Sequence, residues 1–77
     1  MNDEAPAQST ADRLLYMANQ IARNLAVQGD EAATAATADH LCSFWTRDMR
    51  DRLILLAAER PGALTPIAAA AVRRLSA

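Results

Sequence analysis

Thr46-Arg47-Asp48-Met49-Arg50-Asp51-Arg52-Leu53-Ile54-Leu55-Leu56-Ala57-Ala58-Glu59-Arg60-Pro61-Gly62-Ala63-Leu64-Thr65-Pro66 holds a helix start, a helix, a stop and a second start in one run. Thr46 can act as N-cap, because its hydroxyl accepts from an N–H that has no partner in the first helical turn. A helix over Arg47–Glu59 places Met49, Leu53, Leu56 and Ala57 on one face. Arg47 and Asp51, like Asp48 and Arg52, stand four residues apart, the spacing of supportive pairs on an exposed face. Pro61-Gly62 breaks the helix. Thr65-Pro66 restarts one, with Pro66 at the first helical position, where its missing N–H is no loss. Ala68, Ala71, Val72 and Leu75 then form an inner stripe.

Upstream, Ser9 or Thr10 offers an N-cap, and Ser9 with Asp12 makes an Asp variant of the capping box. A first helix over Thr10–Gln28 puts Leu14, Ala18, Ile21 and Leu25 on one face, widened by Leu15, Ala22 and Ala26. Gly29 can end it with a positive φ, and Asp30 is a candidate cap for the next. A second helix over Glu31–Trp45 begins with Ala and Thr and carries Ala38, Leu41, Phe44 and Trp45 at its end. Its first turns bury little area, so they are expected to be the loosest part of the domain. No strand pattern and no internal repeat is present. The reading is all-α: a small single-domain bundle or array of about four short helices, with residues 1–9 a mobile leader and residues 10–77 one helical domain.

The composition narrows what such a domain can do. Of 77 residues 52% are hydrophobic, but many are Ala, so Leu, Ile, Met and the three rings Tyr16, Phe44 and Trp45 are expected to form the core. A core this size is marginal, and a partner that binds only the folded state stabilises it by mass action. The net charge is -1, which gives no attraction for nucleic acid or an anionic membrane. No apolar run reaches the length of a membrane span. Cys42 is alone, so neither an intramolecular disulfide nor a four-cysteine zinc site can form, and a reducing, cytosolic setting fits. Cys42 is read as a small buried filler.

Catalytic patterns are missing. Asp39-His40 lacks a nucleophile or a second ligand on its face, since Cys42 lies about 200° round the helix from His40. There is no HExxH and no phosphate-binding glycine loop among 2 Gly. Arg47, Arg50 and Arg52 alternate with Asp48 and Asp51, which cancels most of their field.

One feature points to a partner. Ile54 and Leu55 fall on either side of the back of the Arg47–Glu59 helix, away from the Met49/Leu53/Leu56 stripe. A helix apolar nearly all round is buried on more than one side. Asn19 and Gln20 add polar side chains in mid-helix, suited to a surface patch, an interface or a neighbouring loop. Trp45 is a core ring or a contact anchor.

The ordered set Arg13-Leu14-Leu15-Tyr16-Met17-Ala18-Asn19-Gln20-Ile21-Ala22, Ala38-Asp39-His40-Leu41, Phe44-Trp45, Met49-Arg50, Leu55-Leu56-Ala57 and Gly62-Ala63-Leu64-Thr65-Pro66 resembles the delta subunit of NAD-dependent formate dehydrogenase over about residues 12–75. The matching positions include Met17, Asn19, Gln20, His40, Phe44, Trp45 and Met49. Where that family usually has Asp-Pro after Phe-Trp, this chain has Thr46-Arg47, and Thr46 can still cap. The resemblance implies a non-catalytic accessory subunit supporting assembly or stability of a molybdenum-dependent, NAD-linked complex in the bacterial cytoplasm. It implies that molybdenum–pterin, iron–sulfur clusters, flavin and NAD sit on other subunits and none on this chain, with the catalytic alpha subunit as the expected partner. Asn19, Gln20, Trp45, Ile54 and Leu55 are the expected interface residues. The alternative is a maturation chaperone for the pterin dinucleotide or the apo catalytic subunit, with Arg47 and Arg50 as its phosphate site. A helical DNA-binding regulator is a third reading, which the acidic pI of 5.6 opposes.

Overall fold

In the computed structural model, residues 9–76 are described, and the leader expected over residues 1–9 falls outside them except for Ser9. Four helices follow one another: α1 (Thr10–Leu25), α2 (Asp30–Phe44), α3 (Arg47–Glu59) and α4 (Pro66–Leu75). Single 3₁₀ turns at Ala26–Gln28 and Pro61–Ala63 fill the first and last connections. The described residues contain no strand.

Three of the four helices start on a side-chain cap. Ser9 Oγ accepts from the Asp12 N–H at 3.1 Å, Thr46 Oγ1 from Met49 at 3.2 Å and Thr65 Oγ1 from Ala68 at 3.3 Å. α2 differs from expectation. Asp30 is its first helical residue rather than its cap, and Gly29 takes the cap position at φ 96° without a side-chain bond. That positive φ is a conformation that residues with a Cβ rarely adopt, so glycine is required there even though nothing crowds the position.

The core gathers Leu14, Leu15 and Ala18 of α1, Leu41 of α2, Leu53 and Leu56 of α3, Ala68 and Val72 of α4, and the ring of Trp45. Trp45 follows the last turn of α2 in an extended conformation, φ -90° and ψ 145°, and is only 6% exposed. Leu64 closes the core from the α3–α4 connection.

Tyr16 and Phe44 do not join it, against the expectation that all three rings would. Tyr16 is 58% exposed and Phe44 74%. The placement of α4 accounts for Phe44. Its start, at Pro66 and Ile67, shares a cleft with Asp30, and near its end Arg74 pairs with Glu31. The helix therefore lies across the N-terminal half of α2. Phe44 is about 20 Å along the axis from Glu31, at 1.5 Å per residue, so α4 does not reach it.

The same geometry buries more of the start of α2 than its Ala and Thr content led one to expect. Ala33 and Thr37 are fully buried there and Thr34 nearly so, because small side chains let α4 approach closely. Thr34 Oγ1 donates back to the Asp30 carbonyl at 2.8 Å. Thr37 Oγ1 is buried with no hydrogen-bond partner. Cys42, expected inside, is exposed. It sits on α2 beyond the part that α4 covers.

Candidate partner-binding surface

The residues singled out from the sequence separate into three groups. Asn19 and Trp45 hold the chain to itself. Ile54 and Met49 are half-buried against the core. Leu55, Met17 and Phe44 face solvent.

Asn19 is a clamp. Its Nδ2 donates to the Ala63 carbonyl at 2.9 Å, and its Oδ1 accepts from the Thr65 N–H, also at 2.9 Å. One amide thus matches a donor and an acceptor of the α3–α4 connection, and of the alternatives open to the sequence this is the neighbouring loop. Gln20, half-buried on the next position, accepts from Arg23 Nη1 at 3.0 Å.

Arg50 has a role the sequence reading did not give it. Its guanidinium donates to the Trp45 carbonyl at 2.6 Å and to the Cys42 carbonyl at 3.3 Å. These are carbonyls of the last turn of α2 and the residue after it, where a helix leaves acceptors unpaired and carries partial negative charge. Arg50 is therefore a C-terminal cap supplied by the following helix. Arg47 pairs with Asp51 at 3.8 Å on an open surface. The two arginines considered as a phosphate site are both engaged within the chain. Among the described residues Asp48 and Arg52, at the same spacing, make no ion pair.

Arg60 meets Asp12 at 3.1 Å, joining the end of α3 to the first turn of α1. The Arg60 guanidinium, with Ser9 beside it, holds the Asp12 carboxyl below its ordinary value of 3.8. His40, half-buried, lies against the exposed ring of Phe44 with centroids 4.7 Å apart. Among the described residues no group of three or more His, Cys, Asp or Glu is placed to hold a metal ion. No helix of the described residues is long and apolar enough to cross a membrane.

Exposed apolar area is thus spread over Tyr16 and Met17 on α1, Val27 in the 3₁₀ turn after it, Phe44 on α2 and Leu55, 59% exposed, on α3. Ile54 does not stand out from the back of α3 as its neighbour does. It packs towards α4 and helps to wall a cleft of about 280 Å³ whose floor includes Leu64 and Val72. The expectation that the chain could not cover both sides of α3 therefore holds for Leu55 and not for Ile54.

Positions 13–72 match the model of one family, described as the NADH-dependent formate dehydrogenase delta subunit. No curated protein matches the chain, and no solved structure does. The match runs from Arg13 at the first turn of α1 to Val72 in α4, and so takes in all four helices, the Asn19 clamp and the Trp45–Arg50 cap: the chain belongs to the formate dehydrogenase delta-subunit family.

Proposed function

We propose that this chain is a non-catalytic accessory subunit that docks on a larger subunit of an NAD-linked formate dehydrogenase and supports the assembly or stability of that complex. Family membership over residues 13–72 is the observation that carries the reading. The surface is in keeping with it. Tyr16 and Met17 on α1, Phe44 on α2 and Leu55 on α3 stand open to water and are available to a partner.

The chain's own residues do not fit an iron–sulfur cluster. An iron–sulfur cluster is held by several cysteine thiolates, and Cys42 is the only cysteine. On this reading molybdenum–pterin, clusters, flavin and NAD belong to the other subunits, as the family resemblance implies, with the catalytic alpha subunit as the partner and the cytoplasm as the setting.

The test is purification of the tagged chain from its native host, with formate-dependent NAD reduction assayed on the eluate. Recovery of an active complex, and a lower yield of that complex in a strain lacking the chain, is the expected result. A chain recovered alone, together with unchanged formate oxidation in the deletion strain, overturns the proposal.

A further inference from the structure

We infer that the cleft between α3 and α4 is the chain's anchor site, and that it takes one large apolar side chain of another formate dehydrogenase subunit with a carboxylate of that subunit beside it. The inference rests on the accessory-subunit reading and adds to it where the contact lies and what chemistry the partner presents.

The cleft has an apolar interior. Leu64 and Val72 are buried on its floor, and Ile54, Ala58, Pro61 and Ala69 wall it. The alanines matter because they leave the cleft open where larger residues would fill it. Its volume, about 280 Å³, lies just below the range of about 300–1,000 Å³ usual for small-molecule sites. Such sites also need several convergent polar groups to orient a ligand. Here the rim offers two polar side chains, Arg73 and Ser76, and Ser76 is engaged: its hydroxyl lies 3.3 Å from both the Val72 and the Arg73 carbonyls. An apolar recess with a single cation at its edge suits a protein anchor residue, of the kind that fills a pocket at the centre of an interface.

Arg73 defines the partner's charge. Arg60 and Arg74 are each held at 3.1 Å by a carboxylate of this chain, Asp12 and Glu31. Among the described residues Arg73 has no such partner. It is exposed in the last turn of α4, where a cation already complements the helix dipole. A guanidinium at the rim of a recess that becomes dry on docking favours a carboxylate, and it pairs with one through charge-assisted hydrogen bonds.

A second copy of this chain is the competing occupant. Leu55 is exposed and has Asp51 and Glu59 one turn to either side, the same combination of apolar side chain and carboxylate. One set of variants separates the two.

The full chain, tagged, is co-expressed with the other subunits of the formate dehydrogenase, and the amount of complex retained on it is measured for wild type, Arg73→Glu, Ala58→Trp and Val27→Asp. Helix content and melting of each isolated chain confirm folding. Arg73→Glu turns an attraction into a like-charge clash at the rim, so a fall in affinity of about tenfold or more is expected. Ala58→Trp, from an exposed wall position, obstructs the recess and abolishes retention. Val27→Asp, outside the cleft and 91% exposed, leaves it unchanged. Should Ala58→Trp fail to fold, Arg73→Glu alone decides. Wild-type retention by both cleft variants overturns the site while leaving the accessory reading intact. Failure of the wild-type chain to retain any subunit overturns both. Self-association of the chain that is lost in Ala58→Trp and in Leu55→Ser assigns the cleft to a second copy and overturns the partner named here.

Discussion

Replacing Asn19 by alanine removes two hydrogen bonds, both made by its amide, that tie the α3–α4 connection to α1. The two bonds are 2.9 Å long and partly buried, so water can replace some but not all of what is lost. A protein hydrogen bond contributes about 0.5–1.5 kcal/mol net, and an orphaned buried partner costs about 1–3 kcal/mol. With partial access for water, Asn19→Ala should cost about 2 kcal/mol. For a domain of this length that lowers the Tm by roughly 8–16 °C, at about 4–8 °C per kcal/mol. Asn19→Asp is the informative companion. Its carboxylate can still accept from Thr65 N–H but faces the Ala63 carbonyl with no donor, so it should lose half of the clamp and add a repulsion. Urea unfolding followed by circular dichroism gives both values. Amide exchange at Ala63 and Thr65 shows whether the loss is local. If Asn19→Ala unfolds within 0.5 kcal/mol of wild type, about the usual span of a surface substitution, the clamp contributes no more than a solvated side chain and the assignment is wrong.

Three further outcomes follow from named contacts. Thr37→Val removes a buried hydroxyl that has no partner, and should stabilise by about 1 kcal/mol, the lower end of the cost of such a group; a loss of stability in the same unfolding assay would show that the hydroxyl is satisfied. Trp45→Ala empties the centre of the core and should cost about 3–5 kcal/mol, read as lost helix signal at room temperature. Asp12 sets an acid limit: because its carboxyl is held below 3.8 in the fold, its contribution is complete above that value and is lost as pH falls through the lower folded value. Thermal melts between pH 5 and pH 2 should therefore show a shallower acid dependence in Arg60→Gln than in wild type, and identical slopes would remove the Asp12–Arg60 contact from the account.

The helices were legible because what starts and stops them is local. A threonine before an arginine, a serine three residues before an aspartate and a threonine before a proline each satisfy an N–H within one turn, and the structure uses all three as caps. The inner stripes of α3 and α4 were likewise plain from spacing. Which rings enter the core was not, because periodicity says which face of α2 is apolar and not how far the covering helix reaches. Phe44 shares that face and remains outside. Arg50 shows a similar limit. Its role depends on α3 turning back over the end of α2, and nothing local to Arg50 says so. Among the interface candidates, Leu55 is open to solvent and Trp45 is enclosed, a difference that follows from tertiary position alone. The cleft beside Arg73 had no signal in the sequence, since alanines on two helices mark a recess only once the helices are placed together.

The placement of α4 also bears on how the chain comes together. The first half of α2 has little apolar area of its own, and the helix packed most closely on α2 is the one synthesised latest of the four. Isolated helices of about 12–15 residues are marginal in water, so α2 should gain its full helicity only when α4 has arrived. The Asn19 clamp reinforces this, since it closes a loop of more than 40 residues between α1 and the start of α4. Folding should thus be a single all-or-none event, and fragments that stop short of α4 should behave as fluctuating coils rather than as a stable three-helix intermediate.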